Sequence, residues 1–396
     1  MITKKRGVLV IQFNWMYVMV IGAVIIIFFV MLANNIRKNS NESLNFDILN
    51  YMDEIFVGIE TSSQVEHSIN LPGVDLRVDC QGYTIKNSRH EGKSLKNRIV
   101  FSPDLLTKEI VSYTLYFEAP FKTSFFLFLT SKQMQYVPLD DDLTDSESYA
   151  NQLVNELPEN LNLYYDDPET KEMISEFSDY EEDNHYKIKF IMFDTDPDDS
   201  YPAASIDKGK TKNRDISLIV IDPNEDTFKI DEYDTNKPEL SFPDGSGEVK
   251  FYTYNGEEFV RDDSADEVYP PPAPSFGYLN KATLFGAIYS QDAYNYDCNM
   301  AKGLKRLSLM SEMLNSRIEH IEKTDEDFND LGECSGFYEE SKKLLYDSGS
   351  EGTIQSIANR QDISEEHLNK LFDFIYENGL VFYNDELQQK SCPMIY

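Results

Sequence analysis

Basic residues are scarce in this chain. Lysine and arginine number 36 against 70 acidic residues, a formal net charge of −34 over 396 residues. A polymer this acidic repels phosphate backbones and anionic headgroups, so nucleic acid is excluded as a partner class, and cations or basic proteins fit better. Histidine is scarcer still: His67, His90, His185, His320 and His367 lie far apart, at no metal-ligand spacing. The four cysteines, Cys80, Cys298, Cys334 and Cys392, include no C-x-x-C pair, which excludes zinc ribbons and thioredoxin-like redox motifs. There is no G-x-S-x-G elbow and no internal repeat. An anchored hydrolase therefore has no motif behind it, and no catalytic or cofactor-binding residue is assigned. Cys298 and Cys392 are nucleophiles in principle, with no histidine placed beside either. Aromatic residues, at 13 %, are plentiful, and a chain with that much ring surface folds instead of remaining an acidic tail.

Two stretches imitate ligand loops and fall short. "DKGKT" at 207–211 has Ala204 where a phosphate loop needs its first glycine, and the strand-like "NRDISLIVID" follows where a helix belongs. "DTDPDDSYPAAS" at 194–205 begins like a calcium loop, but Asp199 replaces the turn glycine and Ser205 the bidentate glutamate. An EF-hand is rejected. Asp194, Asp196 and Asp198 remain candidate ligands of a looser Ca2+ site at a strand end, because clustered carboxylates suit hard cations; the competing reading is a solvated acidic loop. "LDDDLTD" at 139–145 has the same two readings, or a helix start at Asp145.

From Gly7 to Ile36 no residue is charged. At about 1.5 Å of rise per residue such a helix outspans the roughly 30 Å hydrocarbon core of a bilayer. A secretory signal is shorter and ends in small residues, whereas "NNIRKNSNES" follows here. The expectation is a retained transmembrane helix in contact with lipid over 8–36. Lys4, Lys5 and Arg6 precede it and Arg37 and Lys38 follow; the heavier basic flank predicts a cytoplasmic N-terminus and an extracellular C-terminal portion.

The leader "KKRG" directly before the apolar run resembles the class III signal of archaeal type IV pilin-like proteins. That resemblance implies cleavage after Gly7 on the cytoplasmic side, with the helix kept on the mature subunit. It also implies a glutamate at the fifth mature position, thought to pair with a neighbour's amino terminus. Gln12 stands there, keeping the shape and losing the charge, so Gln12 is the candidate assembly contact and filament formation is the property put in question. The "IQFNW" start of the span and the "SCPMIY" end also resemble a group of archaeal membrane-anchored proteins, a likeness that carries no activity. A single sequon places a candidate glycosylation site at Asn41.

Periodicity divides the rest. Leu44, Ile48, Met52, Ile55, Phe56 and Ile59 recur at helical spacing. Val74, Leu76, Val78 and Cys80 alternate with Asp75, Arg77 and Asp79, the pattern of a half-buried strand. "YKIKFIMFD" and "DISLIVIDP" are near-continuous apolar runs, which predicts strands covered on both faces, and Asn255-Gly256 marks a hairpin. Met300, Leu304, Leu307, Met310, Leu314 and Ile318 or Ile321 form the stripe of a long helix, and shorter helices are predicted near 337–347, 351–360 and 364–378. The predicted fold is α+β and multidomain: leader 1–7, transmembrane helix 8–36, amphipathic stalk helix 37–66, antiparallel β domain 67–143, small α/β domain 144–268, and Pro-rich linker with helical C-terminal region 269–396.

In an exterior domain four cysteines permit two disulfides in three connectivities. The favoured pairing joins Cys298, at the start of the long helix, to Cys392 in the apolar tail, leaving Cys80 for Cys334. The chain is thus read as a single-pass surface protein whose acidic ectodomain binds a partner or serves a cell-envelope complex as an accessory. The alternative is a pilin-like structural or adhesive subunit that self-assembles through the N-terminal helix.

Overall fold

The computed structural model describes residues 6–60, 65–86, 88, 92–139, 148–163, 187–194, 197, 215–224, 242–262, 264–265, 275–324, 334–346, 352–376 and 379–396. Helix α1 (Arg6–Glu60) is continuous, so the apolar span and the amphipathic segment are one element. Its two halves differ in surroundings. Side chains from Trp15 to Ile36 are almost all exposed, and none of its most apolar window is buried. Ile48, Leu49, Met52, Phe56 and Ile59 are buried, as their spacing predicts. The helix is long and apolar enough to cross a membrane, by length and composition.

The described residues form two mixed sheets. The first has the order β3-β2-β1-β5-β6-β4, from β1 (His67–Val78), β2 (Gly82–Ile85), β3 (Lys93–Ser94), β4 (Ile99–Phe101), β5 (Leu105–Glu118) and β6 (Lys122–Ser131). It is antiparallel except at one edge, where β4 runs parallel to β6; the expected all-antiparallel sheet is corrected there. The second has the order β12-β11-β10-β9-β7-β8, from β7 (Met134–Pro138), β8 (Asn162–Leu163), β9 (Lys187–Phe193), β10 (Asp215–Pro223), β11 (Gly247–Tyr254) and β12 (Phe259–Arg261), with β13 (Phe276–Tyr278) beside β11. Strands β8, β7, β9 and β10 are parallel. The seam between the sheets therefore falls before Met134, because β7 leaves the first sheet and pairs with β9.

Layers follow from which face each strand buries. In β6, Leu127 and Leu129 face α1, while Phe126 and Phe128 face the central core. In β10, Ile219 and Ile221 face that same core, while Leu218 and Val220 lie on the outer face of the second sheet. Burial on both faces is why these strands read as unbroken apolar runs. Between the sheets lie helix α3 (Lys281–Tyr289) and the first half of α4 (Ala293–Thr324). Around them sit α2 (Tyr149–Glu156), α5 (Cys334–Leu345), α6 (Ile354–Arg360), α7 (Glu365–Tyr376) and α8 (Leu380–Gln389). Eight of the nine residues of α3 are buried. It starts at a capping box, with Thr283 N–H donating to Asn280 Oδ1 (3.2 Å) and Asn280 N–H to Thr283 Oγ1 (2.9 Å). Close approach to the first sheet needs glycine: a Cβ on Gly286 would meet Phe101 at 2.9 Å, and one on Gly303 would meet Phe126 at 3.0 Å.

Three joints fasten these layers. Arg98 donates to Asp53 Oδ1 at 2.6 Å, and Tyr83 Oη to the Leu49 carbonyl at 3.3 Å, locking α1 to the first sheet. The Arg98 hydrogen bond holds the Asp53 carboxyl below its ordinary range, and burial pushes the Tyr83 phenol up to about 12. The Asn299 side chain of α4 meets the open edge of β4 as another strand would: Val100 N–H donates to its Oδ1 (3.2 Å) and its Nδ2 donates to the Val100 carbonyl (2.8 Å). At the far end Ile395 is fully buried, its N–H donating to Asn384 Oδ1 at 2.8 Å, and Tyr338 Oη donates to the Pro393 carbonyl at 2.5 Å. The apolar tail is docked on the body by these contacts.

The β4 joint is testable. Asn299→Ala strips both backbone groups of Val100 of these partners in a buried setting. Each orphaned group costs about 1–3 kcal/mol, so for the two a loss of roughly 2–6 kcal/mol is expected in urea titration. A loss below about 0.5 kcal/mol would mean that water or a shifted side chain replaces the amide.

Candidate functional site

The structure pairs the cysteines differently from the sequence-favoured connectivity. Cys80 bonds to Cys298 and Cys334 to Cys392, with Cα separations of 6.1 and 6.2 Å, both in the normal range. The reason is the course of α4. Its first half packs on β4 and β6, so Cys298 faces the end of β1, beside Asn299 and Lys302. Lys302 donates to the carbonyls of Cys80 and Arg98 (3.4 Å to the latter). Helix α5 packs on α8, which delivers Cys392 to Cys334. In the loop-entropy picture the bridges, closing 218 and 58 residues, are worth about 5 and about 4 kcal/mol. Neither Cys298 nor Cys392 carries a thiol, which removes the nucleophile reading of both.

Gly7, Gln12 and Asn41 all lie on α1. Asp194 ends β9 in a left-handed conformation (φ 56°), its N–H donating to the Ile221 carbonyl at 3.0 Å. Asp196 and Asp198 lie outside the described residues, as do 140–142, 207–211, His90 and His185. Among the described residues no three His, Cys, Asp or Glu side chains gather as a metal site. His367 has a serine and an aspartate at hand, in the wrong arrangement for nucleophilic catalysis. Ser364 Oγ (2.9 Å) and Asp362 Oδ2 (3.0 Å) approach the same ring nitrogen, Nδ1, whereas a catalytic triad needs its serine and its acid on opposite nitrogens. Ser364 N–H also donates to Asp362 Oδ1; together these contacts secure the start of α7.

Two arrangements were not anticipated from sequence. The first is an open cleft of 260 Å³ where the end of β5, the turn before β11, the start of α3 and the end of α7 converge. Leu115, Tyr116, Glu118, Asp244, Asn280, Lys281, Ala282 and Tyr376 line it. Asn280 Nδ2 donates to the Glu118 carbonyl at 2.6 Å, which fixes the start of α3 against β5. Lys281 is ion-paired with Glu156. Partial burial raises the Asp244 carboxyl above its ordinary value; Lys281 opposes the shift and Glu156 adds to it. Burial raises the Tyr376 phenol to about 12, with Asp244 and Glu118 adding to the effect. The acids sit far apart in sequence, in "FEAP" and "FPDG", and only the fold brings them together.

The second is Lys189, in the middle of β9 and fully buried. Its Nζ donates to the carbonyls of Ala287 (3.1 Å) and Ser290 (2.6 Å), at the C-terminus of α3. There it satisfies acceptors that the helix leaves open. The neighbouring acids Asp262 and Asp292 are themselves engaged at the start of α4, accepting from Ala293 N–H and Asn295 N–H at 2.9 and 2.8 Å. The signal in sequence is a lysine inside the apolar run "KIKFIMF". Burial lowers its pKa to about 7, against the upward pull of Asp292 and Asp262. No protein-family model, curated protein or solved structure matches the chain.

The Lys189 shift has a definite sign. Unfolded lysine titrates near 10.4, so between about pH 7 and 10 the unfolded chain holds a proton that the folded one has released. Stability therefore rises with pH across that window, by up to about 1.4 kcal/mol per unit. Lys302, lowered to about 8 mainly by burial, contributes with the same sign. Urea titrations at pH 7.5 and 9.5 should show the rise, and Lys189→Met should lose its share of it. An unchanged slope in that variant would show that Lys189 stays charged in the fold.

Proposed function

We propose that this chain is a single-pass membrane protein with a cytoplasmic N-terminus, whose exterior, acidic ectodomain binds a partner or serves as an accessory in a cell-envelope complex. The observation that carries the reading is the division of α1: the most apolar window of the helix is unburied among the described residues, while the last turns of the same helix belong to the core. A core helix buries its apolar run within the protein; this one offers it to lipid. Two cysteine pairs at bonding distance support an oxidising compartment. The heavier basic flank at residues 4–6 supports the orientation. The finer organisation follows the same reading: a stalk, two sheet-bearing regions and a helical C-terminal region standing outside the membrane.

Protease applied to sealed cells should remove most of the mass and leave a fragment containing α1. Non-reducing peptide mapping after rapid alkylation should return Cys80–Cys298 and Cys334–Cys392. Full protection until lysis, together with four free thiols, reverses the topology.

The continuity of α1 from Arg6 into the sheet-bound turns favours a second reading, a pilin-like subunit. Its distinguishing outcome is a mature N-terminus at Val8, read by mass spectrometry of the membrane-extracted protein, with self-association that disappears when residues 1–38 are removed. An intact Met1 end and a monomer at high concentration leave the plain anchor.

A further inference from the structure

We propose that the cleft between β5, α3 and α7 binds a primary ammonium group on an alkyl chain, as presented by a lysine side chain of a protein partner. This deepens the binding role proposed above by naming the partner's chemistry. Three features carry it. Asp244 makes no hydrogen bond and no ion pair with any described residue, and its side chain is exposed at the cleft. The Tyr376 hydroxyl, on the same wall, is likewise without a hydrogen-bond partner among the described residues. A carboxylate and a phenol oxygen are thus left as acceptors for an incoming N–H donor.

The chain already places one ammonium beside two of the lining residues, Tyr116 and Glu118. Lys122 Nζ lies 4.0 Å from the centroid of the Tyr116 ring and 3.6 Å from Glu118 Oε1. Its side chain is 63 % exposed, and ion pairs in such settings contribute little, so an external cation displaces it at little cost. The ring face and the neighbouring carboxylate are the pair of elements that recognise an ammonium.

Charge and size set the ligand class. Among the lining residues Glu118 and Asp244 outnumber Lys281, and Lys281 is held by Glu156. The positive end of α3 and Lys281 alone would attract an anion; the surplus of acid in the cleft and in the whole chain opposes that. Leu115, Ala282 and the Tyr116 ring offer apolar wall for a methylene chain. At 260 Å³ the cleft falls below the roughly 300–1,000 Å³ of pockets for drug-sized ligands and has room for a single side chain.

The test uses the full chain in detergent micelles, with Nα-acetyl-lysine methylamide as probe and the uncharged norleucine analogue as control, followed by saturation-transfer NMR. Expected are saturable signals from the lysine methylenes at millimolar concentration, weakened by salt and absent for norleucine. Asp244→Asn should raise the dissociation constant at least ten-fold without lowering the melting temperature, since Asp244 makes no hydrogen bond or ion pair with any described residue. Lys122→Ala, which removes the tethered competitor, should lower it several-fold. Equal signals for norleucine, wild-type affinity in Asp244→Asn, or acetate binding in place of lysine would each overturn the proposal. The readout is independent of membrane topology, so a failure here leaves the protease result standing, and the reverse also holds.

Discussion

Two hydrogen bonds between the Asn299 amide and the Val100 backbone hold residues 199 positions apart, and much of the architecture rests on that contact. Strand β4 has a neighbour on one side only, β6. An open edge in a protein interior would leave its N–H and C=O groups without water or partner. The side-chain amide supplies both a donor and an acceptor, so it closes the edge without another strand. With Asn299 seated, Cys298 is held at Cys80 and Lys302 at the strand-end carbonyls. The first half of α4 then presses Gly303 against Phe126, and α3 is held between the sheets with Gly286 against Phe101. The fixed start of α3 in turn forms one wall of the cleft.

Basic residues are scarce in this chain, and several of them sit at joints. Arg98 ties α1 to the first sheet. Lys187 reaches Asp104 and Gln291, joining the second sheet to the first. Lys189 closes the end of α3, while Lys302 and Arg306 fasten α4 to the carbonyls of Cys80 and Asn97. Apart from the exposed Arg306 contact, these are made to carbonyls or single carboxylates in partly or fully buried places, where a hydrogen bond is stronger than at an exposed surface. The excess acid is spread elsewhere and keeps the body soluble and repellent to anions. Screening by salt should therefore act mainly on the acidic surface and little on the joints.

Elements with a one-sided or uninterrupted pattern were legible in sequence. The charge-free run foretold the exposed half of α1, and the spacing of Ile48, Met52, Phe56 and Ile59 foretold its buried turns. Asn255-Gly256 does turn β11 into β12: Asn255 Oδ1 accepts from Glu257 and Glu258, and Gly256 has φ 102°. The stripe on α4 is buried at Met300, Leu304, Leu307 and Ile318. What remained illegible depends on contacts distant in sequence. Helix α3 is buried on every side from Ala282 to Tyr289 and almost wholly apolar there, so it shows no period to find. Cysteine pairing depended on which face of α4 met the first sheet. Asn299 looked like any polar residue on a helix. The cleft joins Glu118 to Asp244 and Tyr376 across more than two hundred residues, and no local spacing encodes that.

The unbroken course of α1 has a mechanical consequence. About twelve residues, close to 18 Å of helix, separate the end of the charge-free run at Ile36 from the first buried side chain at Ile48. No described bend or coil interrupts that stretch, and the Arg98–Asp53 and Tyr83–Leu49 contacts clamp its far end. With the apolar half in a bilayer, the body stands on a strut and does not swing on a tether. A tilt of about 20°, ordinary for a membrane helix, would carry the base of the first sheet sideways by about 6 Å over that strut, and rotation of the helix about its axis would turn the whole body by the same angle. In that setting the exposed apolar residues of α1 would steer where the far surfaces point, although among the described residues they are not part of the core.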